Sequence, residues 1–180
     1  MTLKEMKKKY LGLIEEVNPN SEQLTEDPDI AAKQNDVVNQ ILYEIARIKK
    51  IPKYVEMAVV EGDTITFEDI EKECGYEVYQ INTVSGVNYA PKANGTIIKV
   101  LESGTIEIDI FVYPERITEK TKDSYEFEVS PDVLEIMPYG IAADLLKSDV
   151  SSEYGAVYAN RYESMIQRLD PRYQIGSIYI

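Results

Sequence analysis

One stretch constrains this chain more than any other. Between Pro28 and Pro52, Ile30, Gln34, Val37, Val38, Ile41, Leu42, Ile45 and Ile48 recur at helical spacing. Asp27 can cap this run and Pro28 can open it, because the first turn of a helix does not need the proline N–H. Asp29 places a favourable charge in that turn, and Pro52 closes the stretch. About 22 residues predict a helix of about 33 Å. A helix of this length with a single apolar stripe needs other elements to cover the stripe, so the rest of the chain must supply them.

The flanking segments predict them. Leu3, Met6, Tyr10, Leu13, Ile14 and Val17 form a first helix, stopped at Asn18-Pro19-Asn20. Ser130-Pro131-Asp132 caps a third, carrying Val133, Leu134, Met137, Ile141, Leu145 and Leu146. Pro138 lies inside it and predicts a kink or break, since it removes a backbone bond and crowds the Leu134 carbonyl. Ser151 or Ser152 caps a last helix with Tyr158, Tyr162, Met165, Ile166 and Leu169 on one face, ended by Pro171.

The middle reads as β structure. Val55–Val60, Tyr76–Val84, Thr96–Glu102 and Thr105–Tyr113 are strands, and Tyr125–Val129 is a last short one. Tyr79, Ile81 and Thr83 are expected on one face of their strand, with Val78, Gln80 and Asn82 on the other. Ile106, Ile108, Ile110 and Val112 share a face in theirs. Asn94-Gly95 signals a hairpin with a type I′ turn. The expected fold is α+β. It is a four-helix bundle, with two N-terminal and two C-terminal helices, and it carries an inserted small antiparallel β-sandwich or barrel. Residues 1–54 and 130–170 form the bundle, 55–129 the β domain and 171–180 a tail.

Composition narrows the chemistry. The chain has 180 residues, enough to bury roughly 70% of its unfolded surface. It has no His and one Cys. That excludes Ser-His-Asp or Cys-His catalysis, His metal ligands, an internal disulfide and multi-Cys zinc sites. No apolar run approaches the ~20 residues that span a bilayer, and the lysine-rich start lacks the apolar stretch of a secretory signal. A reducing cytoplasm, or an assembly built in one, is the expected setting. Net charge is −13. Most of it falls on residues 55–129, where sixteen acids face six bases. Such a chain repels DNA unless its charge is segregated.

Specific sites are few. No phosphate-binding glycine loop or nucleophile elbow is present. Cys74 precedes Gly75 at a turn with no His to activate it, and reads as structural. Glu68, Asp69, Glu71 and Glu73 cluster without calcium-loop spacing and read as a solvated face. Two basic clusters, Lys4, Lys7, Lys8 and Lys9, and Arg47, Lys49, Lys50 and Lys53, meet at one end if the first two helices are antiparallel. They then form either a docking patch for an acidic partner or DNA phosphate, or a solubilising end. Fourteen tyrosines is a high number, and tyrosine suits interfaces. The tail Tyr173-Gln174-Ile175-Gly176-Ser177-Ile178-Tyr179-Ile180 alternates and ends apolar. It either returns to its own domain or adds to another subunit.

Asp27-Pro28-Asp29-Ile30, running into Asn39 through Pro52, resembles the long helix of tailed-bacteriophage head-to-tail adaptor (connector, head-completion) proteins. Tyr113-Pro114-Glu115-Arg116-Ile117, Val129-Ser130-Pro131-Asp132 and Ala142 to Asp149 are similar to that family's second half. Tyr158 to Leu169 resembles its closing helix. The large β insertion departs from the minimal adaptor. The resemblance implies a structural virion protein without enzymatic activity or cofactor. Such a protein forms a ring, commonly of twelve copies, beneath the portal at the neck of a particle assembled in the bacterial cytoplasm. It implies a portal contact through Tyr173–Ile180, tail proteins as further partners, no membrane, and genomic DNA passing an acidic lumen without specific recognition. Another neck or tail component (a stopper or tail-completion protein) and, more remotely, a nucleic-acid-binding regulator are the alternatives.

Overall fold

The structure, a computed structural model, describes residues 1–148 and 153–169. The described residues form a mixed α+β structure with five α-helices and two small antiparallel sheets. The chain divides into two compact units. One is made of residues 1–49, 116–148 and 153–169, and the other of residues 50–115.

The first unit is helical. Helix α1 (Leu3–Leu13) starts in a capping box. The Thr2 hydroxyl accepts from the Glu5 N–H, and the Glu5 carboxylate accepts from the Thr2 N–H at 2.8 Å. The helix ends four residues earlier than its apolar period suggests, because Glu15 turns into the left-handed region at φ 61° and takes Val17 off the helix. Helix α2 (Pro28–Lys49) has its expected start. Asp27 Oδ1 accepts from the N–H groups of Asp29 and Ile30 at 2.8 and 3.1 Å. Lys50, at φ 49°, ends it.

Helix α4 (Pro131–Leu145) is the centre of this unit. Val133, Leu134, Ile136, Met137, Pro138, Gly140, Ile141, Ala142 and Leu145 are all buried, so most of the helix surface is apolar and covered, and only a narrow face with Asp132, Glu135 and Tyr139 reaches the surface. α1, α2 and α5 (Glu153–Ile166) each pack on it. The expected four-helix bundle is therefore not confirmed. Helices α1, α2 and α5 gather about α4 as a hub, and a fifth helix lies in the other unit. α4 also runs through Pro138 unbroken. The core includes Met6, Tyr10, Leu11, Val38, Ile41, Ile45, Met137, Ile141 and Tyr162.

Residues 116–129 belong with the helices rather than with the β region. Ile117 and Phe127 lie in the helical core. The expected strand over 125–129 is only an isolated bridge, Thr2 to Glu126.

The second unit holds strands β1 (Ile51–Val59), β2 (Thr64–Thr66), β3 (Val78–Ser85), β4 (Tyr89–Lys92), β5 (Ile97–Val100) and β6 (Gly104–Val112). They form two sheets of order β1-β6-β3 and β2-β5-β4, antiparallel throughout. Ile106, Ile108, Ile110 and Val112 of β6 are fully buried, as their alternation predicts. They share one core with Val55, Ile65, Val78, Ile98 and Val100.

In β3 the expected alternation fails. Two register shifts, at Val78/Gln80 and Ile81/Thr83, insert extra residues. Val78, Ile81 and Val84 turn inward at a spacing of three as a result. Asn94-Gly95 does connect a hairpin, β4 to β5. The connection is a 3-10 turn with positive φ at Ala93, Asn94 and Gly95, not a two-residue type I′ turn. After β3, Gly86 has φ +91°, and a Cβ there would stand 2.3 Å from the Thr105 carbonyl oxygen, so only glycine fits.

Helix α3 (Phe67–Cys74) completes this unit. The Thr66 hydroxyl caps it, and the Asp69 carboxylate accepts from the Thr66 N–H at 3.0 Å. Gly75, in the left-handed region, ends it. Ile70 alone of its residues is fully buried.

Candidate functional site

The tail positions Tyr173–Ile180 lie outside the described residues. Of the eight basic positions, Lys4, Lys7, Lys8, Lys9, Arg47 and Lys49 belong to the helical unit, and Lys50 and Lys53 to the β unit. Within the helical unit, the α1 start and the α2 end do lie at one end, beside the segment that leads into α4. The Leu3 and Lys4 N–H groups donate to the carbonyls of Tyr125 and Asp123. Lys7 is buried and pairs with Asp123 at 3.6 Å, and Lys49 pairs with Asp132 at 2.9 Å. Two of the bases are thus neutralised locally. Lys4, Lys8 and Lys9 are exposed. In the β unit, the Lys50 ammonium sits 4.5 Å from the Phe111 ring centroid and that of Lys53 4.2 Å from that of Tyr76.

The acidic cluster is built into α3. Asp69 caps the helix, and its carboxyl is held below the usual range, chiefly by the Thr66 backbone N–H. Glu71 Oε1 accepts from the Val78 N–H at 2.8 Å, tying α3 to β3. Glu68 and Glu73 are exposed. Cys74 is a free, half-buried thiol. Among the described residues no group of three or more Asp, Glu or Cys side chains is placed to hold a metal ion. None of the described helices is long and apolar enough to cross a membrane.

The feature that sequence reading missed is a groove of about 350 Å³ at the other end of the helical unit. There α1 and α4 finish, and α2 and α5 begin. Leu13, Ile14, Ile30, Leu145 and Leu146 line it, with Tyr154 and Tyr158 beside them. The Tyr158 hydroxyl donates to the Leu13 carbonyl at 2.6 Å, fixing one side. Glu15, Glu16, Asp27 and Asp29 also line it, against one base, Lys33. Tyr154 and Val157, one turn apart on α5, are 66% and 57% exposed, so the apolar surface continues outside the groove. Four separate helix ends contribute these residues, so no run of sequence carries the pattern.

A second cleft lies between α2, α4 and α5 and is lined by small residues, including Gly140, Ala143, Gly155, Ala156 and Ala159. These let α4 and α5 approach closely. From α1 to α2, Tyr10 donates to Gln34 Oε1 at 2.9 Å, and Gln34 Nε2 donates to Gln23 Oε1 at 2.8 Å. This chain of bonds satisfies a fully buried glutamine. Burial, with Asp123 nearby, pushes the Tyr10 hydroxyl well above the usual phenol range.

Compared with models of known protein families the chain matches none, and no curated protein matches it.

Proposed function

We propose that this chain is a structural protein of the tailed-phage neck, a head-to-tail adaptor that forms a ring beneath the portal and joins capsid to tail. The observation that supports this best is how the helical unit is assembled. Helices from both ends of the chain gather on the apolar α4, and the whole β unit enters as one insertion between Lys49 and Arg116. This agrees with the resemblance read from the long helix and from the segments after residue 113. The exposed apolar side chains Val17, Tyr154 and Val157 are 40%, 66% and 57% accessible. Surface of that kind suits a protein that works in contact with other proteins.

In this reading the two sheets form a small sandwich directed to tail components, and Tyr173–Ile180 meet the portal. Residues 50–115 carry twelve acids against five bases, a balance that does not grip passing DNA. The role is mechanical, with no substrate and no cofactor.

The test is genetic. Phage in which a stop codon interrupts this gene should fill heads with DNA yet yield no joined particles, and supplying the chain in trans should restore them. Normal tailed particles in its absence would overturn the reading. Packaged heads joined to incomplete tails would point to a later tail component.

A further inference from the structure

The groove at the α4 C-terminal end has two properties that act together. Its floor is apolar, from Leu13, Ile30, Leu145 and Leu146. Its rim is acidic, with Glu15, Glu16, Asp27 and Asp29 against Lys33. Asp27 has a structural duty as the α2 cap. Among the described residues, the Glu15 and Glu16 side chains have none. Glu15 is moreover held on the rim by a left-handed backbone that a side chain of this kind rarely adopts.

We infer that this groove docks a segment of a partner protein, one that seats an apolar side chain on the floor and sets lysine or arginine against the rim. Charge selects this class. Nucleic acid or an acidic segment would meet four carboxylates, and a bare apolar ligand would leave them unanswered. About 350 Å³ is near the lower end of ligand pockets and suits one or two large side chains. The exposed Tyr154 and Val157 extend the surface for flanking contacts. The inference is independent of the adaptor reading, and it uses no residue beyond Leu169.

The test titrates the isotopically labelled full chain with two capped peptides that share one leucine pattern, one filled with lysine and one with glutamate. The lysine peptide should shift the amide signals of Leu13, Ile14, Ile30 and Tyr154, with a Kd below about 1 mM. Charge reversal by Glu16→Lys together with Asp29→Lys should weaken it roughly tenfold, more at low salt than at high salt. Tyr154→Ala removes an exposed wall and should weaken binding without moving the thermal midpoint, which separates loss of the site from loss of the fold. The inference fails if the glutamate peptide binds equally, if shifts fall on another surface, or if none appears at about 1 mM. It also fails if Tyr154→Ala abolishes self-association of the chain, because the groove would then belong to a second copy.

Discussion

Asn39 and Ile117, 78 positions apart, hold each other by two hydrogen bonds of 2.7 Å. Asn39 Nδ2 donates to the Ile117 carbonyl, and the Ile117 N–H donates to Asn39 Oδ1. Both residues are buried, at 6% and 1% exposure. The pair fixes the middle of α2 to the strand of chain that re-enters the helical unit after the β insertion. An asparagine amide mimics a backbone edge, so it satisfies a lone piece of backbone that has no ladder of its own.

The Asn39→Ala variant should lose about 2–4 kcal/mol, since it leaves a buried N–H and a buried carbonyl unpaired. Asn39→Asp keeps an acceptor for the Ile117 N–H but sets a buried carboxylate against the Ile117 carbonyl, so it should not restore stability at neutral pH. Urea unfolding followed by circular dichroism measures both. A loss under about 0.5 kcal/mol for the alanine variant would mean that the staple is not structural.

Gly140 predicts the packing limit of α4 against α5. A Cβ at this position would lie 2.8 Å from the Tyr162 ring and 3.0 Å from Ile41 Cδ1. Both neighbours are buried side chains, so Gly140→Ala should cost about 1–3 kcal/mol despite its better helix propensity. Gly140→Val should cost more. Thermal melts of the two variants check the order.

Two buried tyrosines set the alkaline limit of the fold. Burial raises Tyr10, with Asp123 adding to it, and burial raises Tyr162, with Glu44 adding to it. Below pH 10 the phenols are protonated in both folded and unfolded chains, and their contribution is complete. Above about pH 10 the unfolded chain releases these protons and the folded chain does not, so stability falls as pH rises. Urea midpoints from pH 8 to 11 should drop steeply above 10. Tyr10→Phe should flatten that drop. It should cost roughly 1–2 kcal/mol at pH 8, where Gln34 loses its donor. An unchanged slope in the variant would contradict the assignment.

How far the sequence could be read depended on where its signals were local. α2 was legible at its start because Asp27-Pro28 is a complete start signal and the apolar period is unbroken, whereas Lys50 rather than Pro52 ends it and Pro52 lies inside β1. β6 was legible because Ile106 to Val112 alternate cleanly. α1 was read too long, since Val17 keeps the period while the backbone at Glu15 leaves the helix. α3 was hidden because its capping pair, Thr66 and Asp69, sits in an acidic run and only Ile70 is fully buried. β4 was hidden because Pro91 lies within it and neither face alternates. The register shifts in β3 and the hub position of α4 are tertiary facts. The first depends on which residues of β6 lie opposite, and the second on three helices choosing the same partner. The groove was invisible for the same reason, its residues being spread over four helix ends.

The adaptor account stands or falls on a complex with the portal. Native mass measurement of the full chain mixed with portal rings from the same phage tests it most directly, alongside a chain ending at Pro171. The account predicts a closed complex with a fixed number of chains per portal ring for the full chain, and its loss when residues after Pro171 are removed. Portal rings and full-length chain that remain separate species at micromolar concentration would contradict it.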